Sequence, residues 1–288
     1  MRRLVLFALP VAALALLAAG LAQGRRTAAG LTGSCATTKL SLVHKGQLTV
    51  GTDNPAYPPW YGGNPGHGWK VSDPYSGKGY ESAVTYAVAR VLGFSHGHVK
   101  WVYVPFLKSF APGRKGFDFD INQISYEPDR AKQVSFSASY YDVKQAIAVR
   151  KGTAIAKVRT VAGLRSFTLG AQLGTTSYQF IVSHIKPAHS PKVYNTNPLA
   201  VEALKTRRID GLVLDLPTAL YVTAAEVPNS TVLGQFAATT GEHFGMVLQK
   251  GSPLTGCLDK AIGALRANGT LSRLEKTWIT NTGVPVLK

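Results

Sequence analysis

Beyond residue 45, the hydrophobic positions of this chain fall into short blocks of two kinds that take turns. One kind is a brief apolar run, the signature of a buried strand. Such runs predict strands at 46–51, 99–104, 117–125, 145–150, 167–171, 193–194, 209–214 and 245–248. The other kind recurs at helical spacing. Tyr80, Val84, Ala87, Val88 and Val91 define a helix that Gly93 ends, and Leu258, Ile262 and Leu265 define one stopped by Asn268-Gly269. Further helices are expected from Gly174-Thr175-Thr176 to about His184, over 198–205 and over 271–278. Asn54-Pro55 and Pro58-Pro59 break regular structure after the first strand, and the glycines and prolines of 62–79 predict a long surface loop. Strand and helix alternate, so the expected class is α/β with mainly parallel sheets, divided into two units.

The N-terminus follows another pattern. Arg2 and Arg3 precede an apolar stretch over 4–22, which ends in Gly20-Leu21-Ala22. A basic start, an apolar stretch and small residues at its end read as a secretory signal. The stretch is also long enough to serve as an uncleaved membrane anchor. Either way the rest of the chain is expected outside the cytoplasm, periplasmic or at the cell surface, tethered in the second case. Residues 23–44 are small and polar and read as a spacer.

Composition narrows the classes. With 45% apolar and 16% charged residues in 288, the chain is not disordered and can bury a sizeable core. The net charge of +17 would suit nucleic acid, but the basic residues are scattered and no zinc-finger or RNP-type motif occurs, so no nucleic-acid partner is expected. The two cysteines, Cys35 and Cys257, exclude a disulfide-dense scaffold and a four-cysteine zinc site. In an oxidising compartment an even pair favours one disulfide; lipidation of Cys35 and two free thiols are the alternatives. The seven histidines form no ligand cluster and no nucleophilic triad can be assigned, so the expectation is no metal, no cofactor and no catalytic residue.

Six blocks stand in a telling order. They are Gly46-Gln47-Leu48-Thr49-Val50-Gly51-Thr52-Asp53 with Tyr57-Pro58-Pro59-Trp60; Gly79-Tyr80-Glu81; Glu127-Pro128-Asp129-Arg130-Ala131-Lys132 with Val134-Ser135-Phe136-Ser137; Leu173-Gly174-Thr175-Thr176; Arg208-Ile209-Asp210-Gly211 to Asp215; and Asn268-Gly269-Thr270-Leu271 to Trp278. Together they resemble the family 3 extracellular solute-binding proteins, the polar amino acid receptors of ABC importers. The resemblance implies a two-lobed periplasmic-binding-protein fold of type II. Lobe 1 would take 45–146 plus 246–288 and lobe 2 would take 147–245, with hinge strands near 145–149 and 244–248. Ligand would bind in the cleft and close it.

The resemblance also implies a site. A free amino acid is a zwitterion, so burying it requires a cation and donors for one end and an acceptor for the other. Arg130 matches the carboxylate-binding arginine, whose planar fork suits a carboxylate, and Asp215 matches the ammonium acceptor. Thr175 and Thr176 stand where a strand runs into a helix and either cap it or meet the anion. Ser125 and Gln123 match cleft contacts, the latter through its backbone. Tyr57 and Trp60 either stack on the ligand or join the core of lobe 1. Asp53 and Glu81 either receive a cationic side chain or, for Glu81, compensate a helix dipole. One departure stands out, because Glu127 replaces the threonine of the family's Thr-Pro-Glu-Arg turn. The implied protein is a non-enzymatic, monomeric receptor for a polar or charged amino acid, partnered by the permease of an ABC transporter. A periplasmic dehydratase of a prephenate-like acid is the alternative on the same fold.

Overall fold

The computed structural model describes residues 30–237, 241–279 and 283–288. The apolar stretch at 4–22, with its reading as signal or anchor, lies outside the described residues. Among the described residues no helix is long and apolar enough to cross a membrane.

In chain order the strands are β1 Leu48–Thr52, β2 Val99–Tyr103, β3 Phe119–Asp120, β4 Val134–Asp142, β5 Gln145–Arg150, β6 Leu169–Gln172, β7 Lys192–Tyr194, β8 Gly211–Asp215, β9 Ser230–Phe236, β10 His243–Gln249 and β11 Val286–Leu287. The α-helices are α1 Tyr80–Val91, α2 Phe106–Ser109, α3 Pro128–Gln133, α4 Thr176–Phe180, α5 Asn197–Lys205, α6 Leu216–Tyr221, α7 Thr255–Ala267 and α8 Thr270–Trp278. One sheet has the order β2-β1-β3-β10-β4 and the other β11-β9-β5-β8-β6-β7. All five residues of β1 are buried, as are 145–149 of β5 and 211–214 of β8. That is why these strands read as unbroken small or apolar runs rather than as alternation.

The sheets are mixed, not mainly parallel. Every antiparallel pair contains β5 or β10, the strands that carry the chain into each sheet from the other. They begin at the boundary where β1 and β8 end, so they must run against them. The stretches expected as hinge strands, 145–149 and 244–248, are therefore full sheet members, and the residues just before β5 and β10 make the crossings.

Two assignments change. Residues 30–44 are not a free spacer but part of the first body. Leu31 N–H donates to the Val91 carbonyl at 3.1 Å, Thr37 Oγ1 to that of Leu92 at 2.7 Å, and Val43 N–H to Asp118 Oδ1 at 2.7 Å. Leu31, Leu40 and Leu42, spaced among the small residues, pack on the core, and the structure joins Cys35 to Cys257 in α7. At the other end, the segment placed with lobe 1 up to 288 leaves it after Ile279. Val286 and Leu287 pair with Gln235 and Phe236 of β9, in the second sheet. This covers an edge strand that would otherwise expose a row of unpaired backbone groups. Gly234 makes room for it, since a Cβ there would sit 2.6 Å from Leu287 Cγ.

The loop at 62–79 is anchored at its end by one glycine. Gly79 has φ +88° and lies against the Trp60–Tyr61 backbone, so that an added Cβ would stand 2.4 Å from Tyr61 Cα. From it Tyr80 and Glu81 donate their N–H groups to Pro59 and Trp60 carbonyls and α1 begins. Gly79→Ala is expected to destabilise by about 2 kcal/mol or more in urea unfolding, combining left-handed strain with a backbone clash. Gly116→Ala, in open space and ordinary backbone conformation, should stay within about 0.5 kcal/mol of the parent.

Candidate functional site

The segments that follow β1, β3, β6 and β8 converge on a cleft between the two bodies, of about 220 Å³. Carboxyl ends of strands are where open α/β sheets place ligands, and this volume suits one small metabolite.

Nine of the ten residues expected at the site line it: Asp53, Tyr57, Trp60, Gln123, Ser125, Arg130, Thr175, Thr176 and Asp215. Glu81 does not. Its carboxylate lies fully buried behind the wall, where it accepts the Gln123 N–H at 2.7 Å and close hydrogen bonds from Gln123 Nε2 and the Tyr140 hydroxyl. Its acceptors are spent within the protein, so it holds Gln123 in its left-handed turn rather than facing the cleft. Burial pushes its carboxyl up to about 7 against the pull of those donors.

Arg130, on α3, is 7% exposed. Its Nε pairs with Glu127 Oε2 at 2.7 Å, Nη1 donates to the Ser125 carbonyl at 2.7 Å and Nη2 to the Gly174 carbonyl at 2.8 Å. The guanidinium stands 4.5 Å from the Phe110 ring centre. Burial lowers its proton affinity, while Glu127 and Glu242 raise it. Thr175 caps α4, its hydroxyl accepting from Tyr178 N–H at 3.2 Å and donating to the Gln172 carbonyl at 2.8 Å. Asp215 occupies the N-cap position of α6 but caps nothing with its side chain. It accepts the Thr218 hydroxyl at 2.7 Å, and burial lifts its carboxyl to about 6. Burial raises Asp53 as well, opposed by N–H groups of Asn54 and Phe106.

Trp60 belongs to the core and to the cleft. It is 1% exposed, edge-on to Tyr141 and Phe244 at 5.3 and 5.6 Å, yet its Nε1–H reaches Thr218 Oγ1 of the second body at 2.9 Å. Tyr57 also crosses, its ring 6.3 Å from that of Tyr221. Sequence reasoning missed Thr218 and Glu242. Thr218 could have been found one helical turn after Asp215. Glu242 had no motif to flag it, because it sits on a crossing segment and acts by position. It accepts from Ser125 Oγ at 2.7 Å and from Gln145 Nε2 at 3.2 Å. Among the described residues no group of His, Cys, Asp and Glu could hold a metal.

Two bodies linked by crossings, with opposed charged groups on the walls of the cleft between them, form a two-lobed fold with a single-molecule cleft. Residues 48–281 match the bacterial extracellular solute-binding proteins, family 3, and the chain belongs to that family. It is 28% identical over 170 residues to the L-cystine-binding protein of Escherichia coli (strain K12), covering 57% of this chain and 60% of that one. It is 26% identical over 169 residues to the arginine-binding extracellular protein of Bacillus subtilis (strain 168), covering 58% and 64%. The chain thus matches less than two thirds of the length of these relatives. An ancestral arginine-binding protein bound to glutamine superposes with a TM-score of 0.67 at 27% identity, covering 82% of this chain and 98% of that one. An ancestral amino acid-binding protein described as a precursor of cyclohexadienyl dehydratase does so with a TM-score of 0.65 at 26% identity, covering 82% and 96%.

Glu81 allows a direct test of the buried network. Its folded carboxyl titrates near 7, above the ordinary carboxylate range, so between about pH 4.5 and 7 the folded state holds a proton that the unfolded state has released. Stability should therefore fall as pH rises through that window, by about 1 kcal/mol per pH unit from this group. Urea unfolding at pH 5, 6 and 7 should show a shallower decline for Glu81→Gln than for the parent.

Proposed function

We propose that the protein is an extracytoplasmic receptor that captures a polar or charged amino acid in this cleft and delivers it to the permease of an ABC importer. The observation that carries the reading is the opposition of Asp215 on the second body to Arg130 on the first, across a cleft sized for one small molecule. Asp215 would take the α-ammonium, Arg130 with Thr176 the carboxylate, and Asp53, Tyr57 and Gln123 the rest. The relatives named for binding cystine and arginine support the ligand class. The N-terminal apolar stretch would serve export, as leader or anchor, into a compartment where Cys35 and Cys257 form their bridge. The receptor would act as a monomer, without cofactor or catalysis. A dehydratase of a prephenate-like acid would have to admit a dicarboxylate, and the carboxylates of Asp53, Asp215 and Glu242 in and beside the cleft oppose that.

A thermal-shift screen of the mature protein against the twenty amino acids tests the reading. A ligand at 100 times its Kd adds about 2.7 kcal/mol, several degrees in Tm. Silence from all twenty would overturn it. With the ligand in hand, Asp215→Asn is expected to weaken binding at least tenfold, since it removes the charge from a charge-assisted contact. The pH dependence follows from the same group. Asp215 is ionised above about 6 and neutral below, so calorimetric Kd should rise about tenfold between pH 7.5 and pH 5.

A further inference from the structure

The arginine expected to receive a carboxylate already has one. Glu127, standing where the resemblance leads one to expect threonine, holds Arg130 Nε at 2.7 Å, with the pair at 7% and 18% exposure. Two more of its N–H groups go to the carbonyls of Ser125 and Gly174, so of five guanidinium donors two remain. Ser125, the neighbouring hydroxyl, gives its proton to Glu242 Oε1 at 2.7 Å, and Thr175 gives its own to the Gln172 carbonyl. The anion end of the site is therefore left with two guanidinium N–H groups and the Thr176 hydroxyl as donors, and it is close to electrically neutral. The rest of the site is not neutral. Asp53 and Asp215 line the cleft, Glu242 stands beside it, and among the described lining residues Arg130 is the one lysine or arginine. Four carboxylates thus stand in or beside a cleft that holds one guanidinium, in a chain whose net charge is +17.

We infer that the cleft is built for a ligand with two cationic groups and little dependence on a carboxylate, so that it takes a decarboxylated cationic amino acid (a guanidino-amine or an α,ω-diamine) about as well as the amino acid itself. One ammonium meets Asp215 beside Thr218 and the other cationic group meets Asp53. Tyr57 and Tyr103, both lining the cleft, offer aromatic surface to the apolar chain between them. This rests on the receptor reading above and names the ligand class for that site.

Titration calorimetry on the full mature chain with arginine, agmatine, lysine, cadaverine and glutamine tests it. Agmatine is expected within tenfold of arginine, and cadaverine within tenfold of lysine. In Glu127→Thr, and in Glu127→Gln, which keeps the side-chain shape, the released guanidinium should shift the ratio at least tenfold toward arginine. Amines more than tenfold weaker than their amino acids in the parent would overturn the inference and leave the receptor reading standing. So would tight binding of glutamine with none of arginine or agmatine. Amines bound with no amino acid bound would overturn the parity inferred here together with the amino-acid reading. Silence from amines and amino acids alike would overturn both.

Discussion

A buried guanidinium is the constraint on which this molecule turns. Removing a cation from water costs several kcal/mol unless it is paired and hydrogen-bonded. Arg130 meets that condition only by using both bodies at once, because its partners Glu127 and Ser125 belong to the first and Gly174 to the second. Drawing the bodies apart would replace the Gly174 carbonyl by water as the partner of Nη2. The approach is tight enough to specify a residue. Gly174 has φ +73°, which favours glycine, and the end of the Leu107 side chain of the opposite body lies against it. Closure of the cleft and charge balance within it are thus one problem with one solution.

The other side of the cleft uses a rigid donor rather than a charge. The Trp60 indole is fixed by aromatic neighbours from β4 and β10, so its Nε1–H arrives at Thr218 with little rotamer freedom left to lose. Thr218 then passes a hydrogen bond to Asp215, which ties that cleft carboxylate to the core of the first body. Phe244, the second residue of β10, stands close to the Trp60 ring, so the strand that re-enters the first sheet helps to fix the indole. The tail adds a further link, since β11 carries the chain from the first core back to β9.

Much of this was legible beforehand, and the reasons are local. Asp215 ends an apolar strand and is followed by Pro217. Thr175 follows a glycine that must turn. Arg130 follows Pro128 at the start of a short helix. In each case a turn or helix start forces the side chain toward the carboxyl edge of the sheet, and such signals lie within a few residues. What escaped depends on distance. The sequence leaves Glu81 either a cleft acid or a helix-dipole partner, and its direction is set by Tyr140 and Gln123, 59 and 42 residues away. Glu242 lacks any local pattern and gains its role from Ser125, beyond β3, and Gln145, at the start of β5. The small, polar 30–44 segment resembles a linker until Asp118 and Leu92 supply its partners. The destination of 283–288 is decided by the open edge of β9.

Charge illustrates the same divide between sum and place. A net charge of +17 invites an anionic partner, and taken alone it would predict an anionic ligand. Yet charges on the exterior are screened within about 8 Å at physiological salt, whereas groups in a closed, low-dielectric cleft act at contact distance almost unscreened. A charged group placed in the cleft would therefore respond to the few carboxylates there and not to the scattered lysines and arginines. Glu127 makes the point within a single turn of helix. At the N-cap position it bonds no backbone N–H of α3, so as a helix start it is a poor choice. Its carboxylate instead neutralises the one lysine or arginine among the described residues lining the cleft, which leaves Asp53 and Asp215 to set the sign of the site.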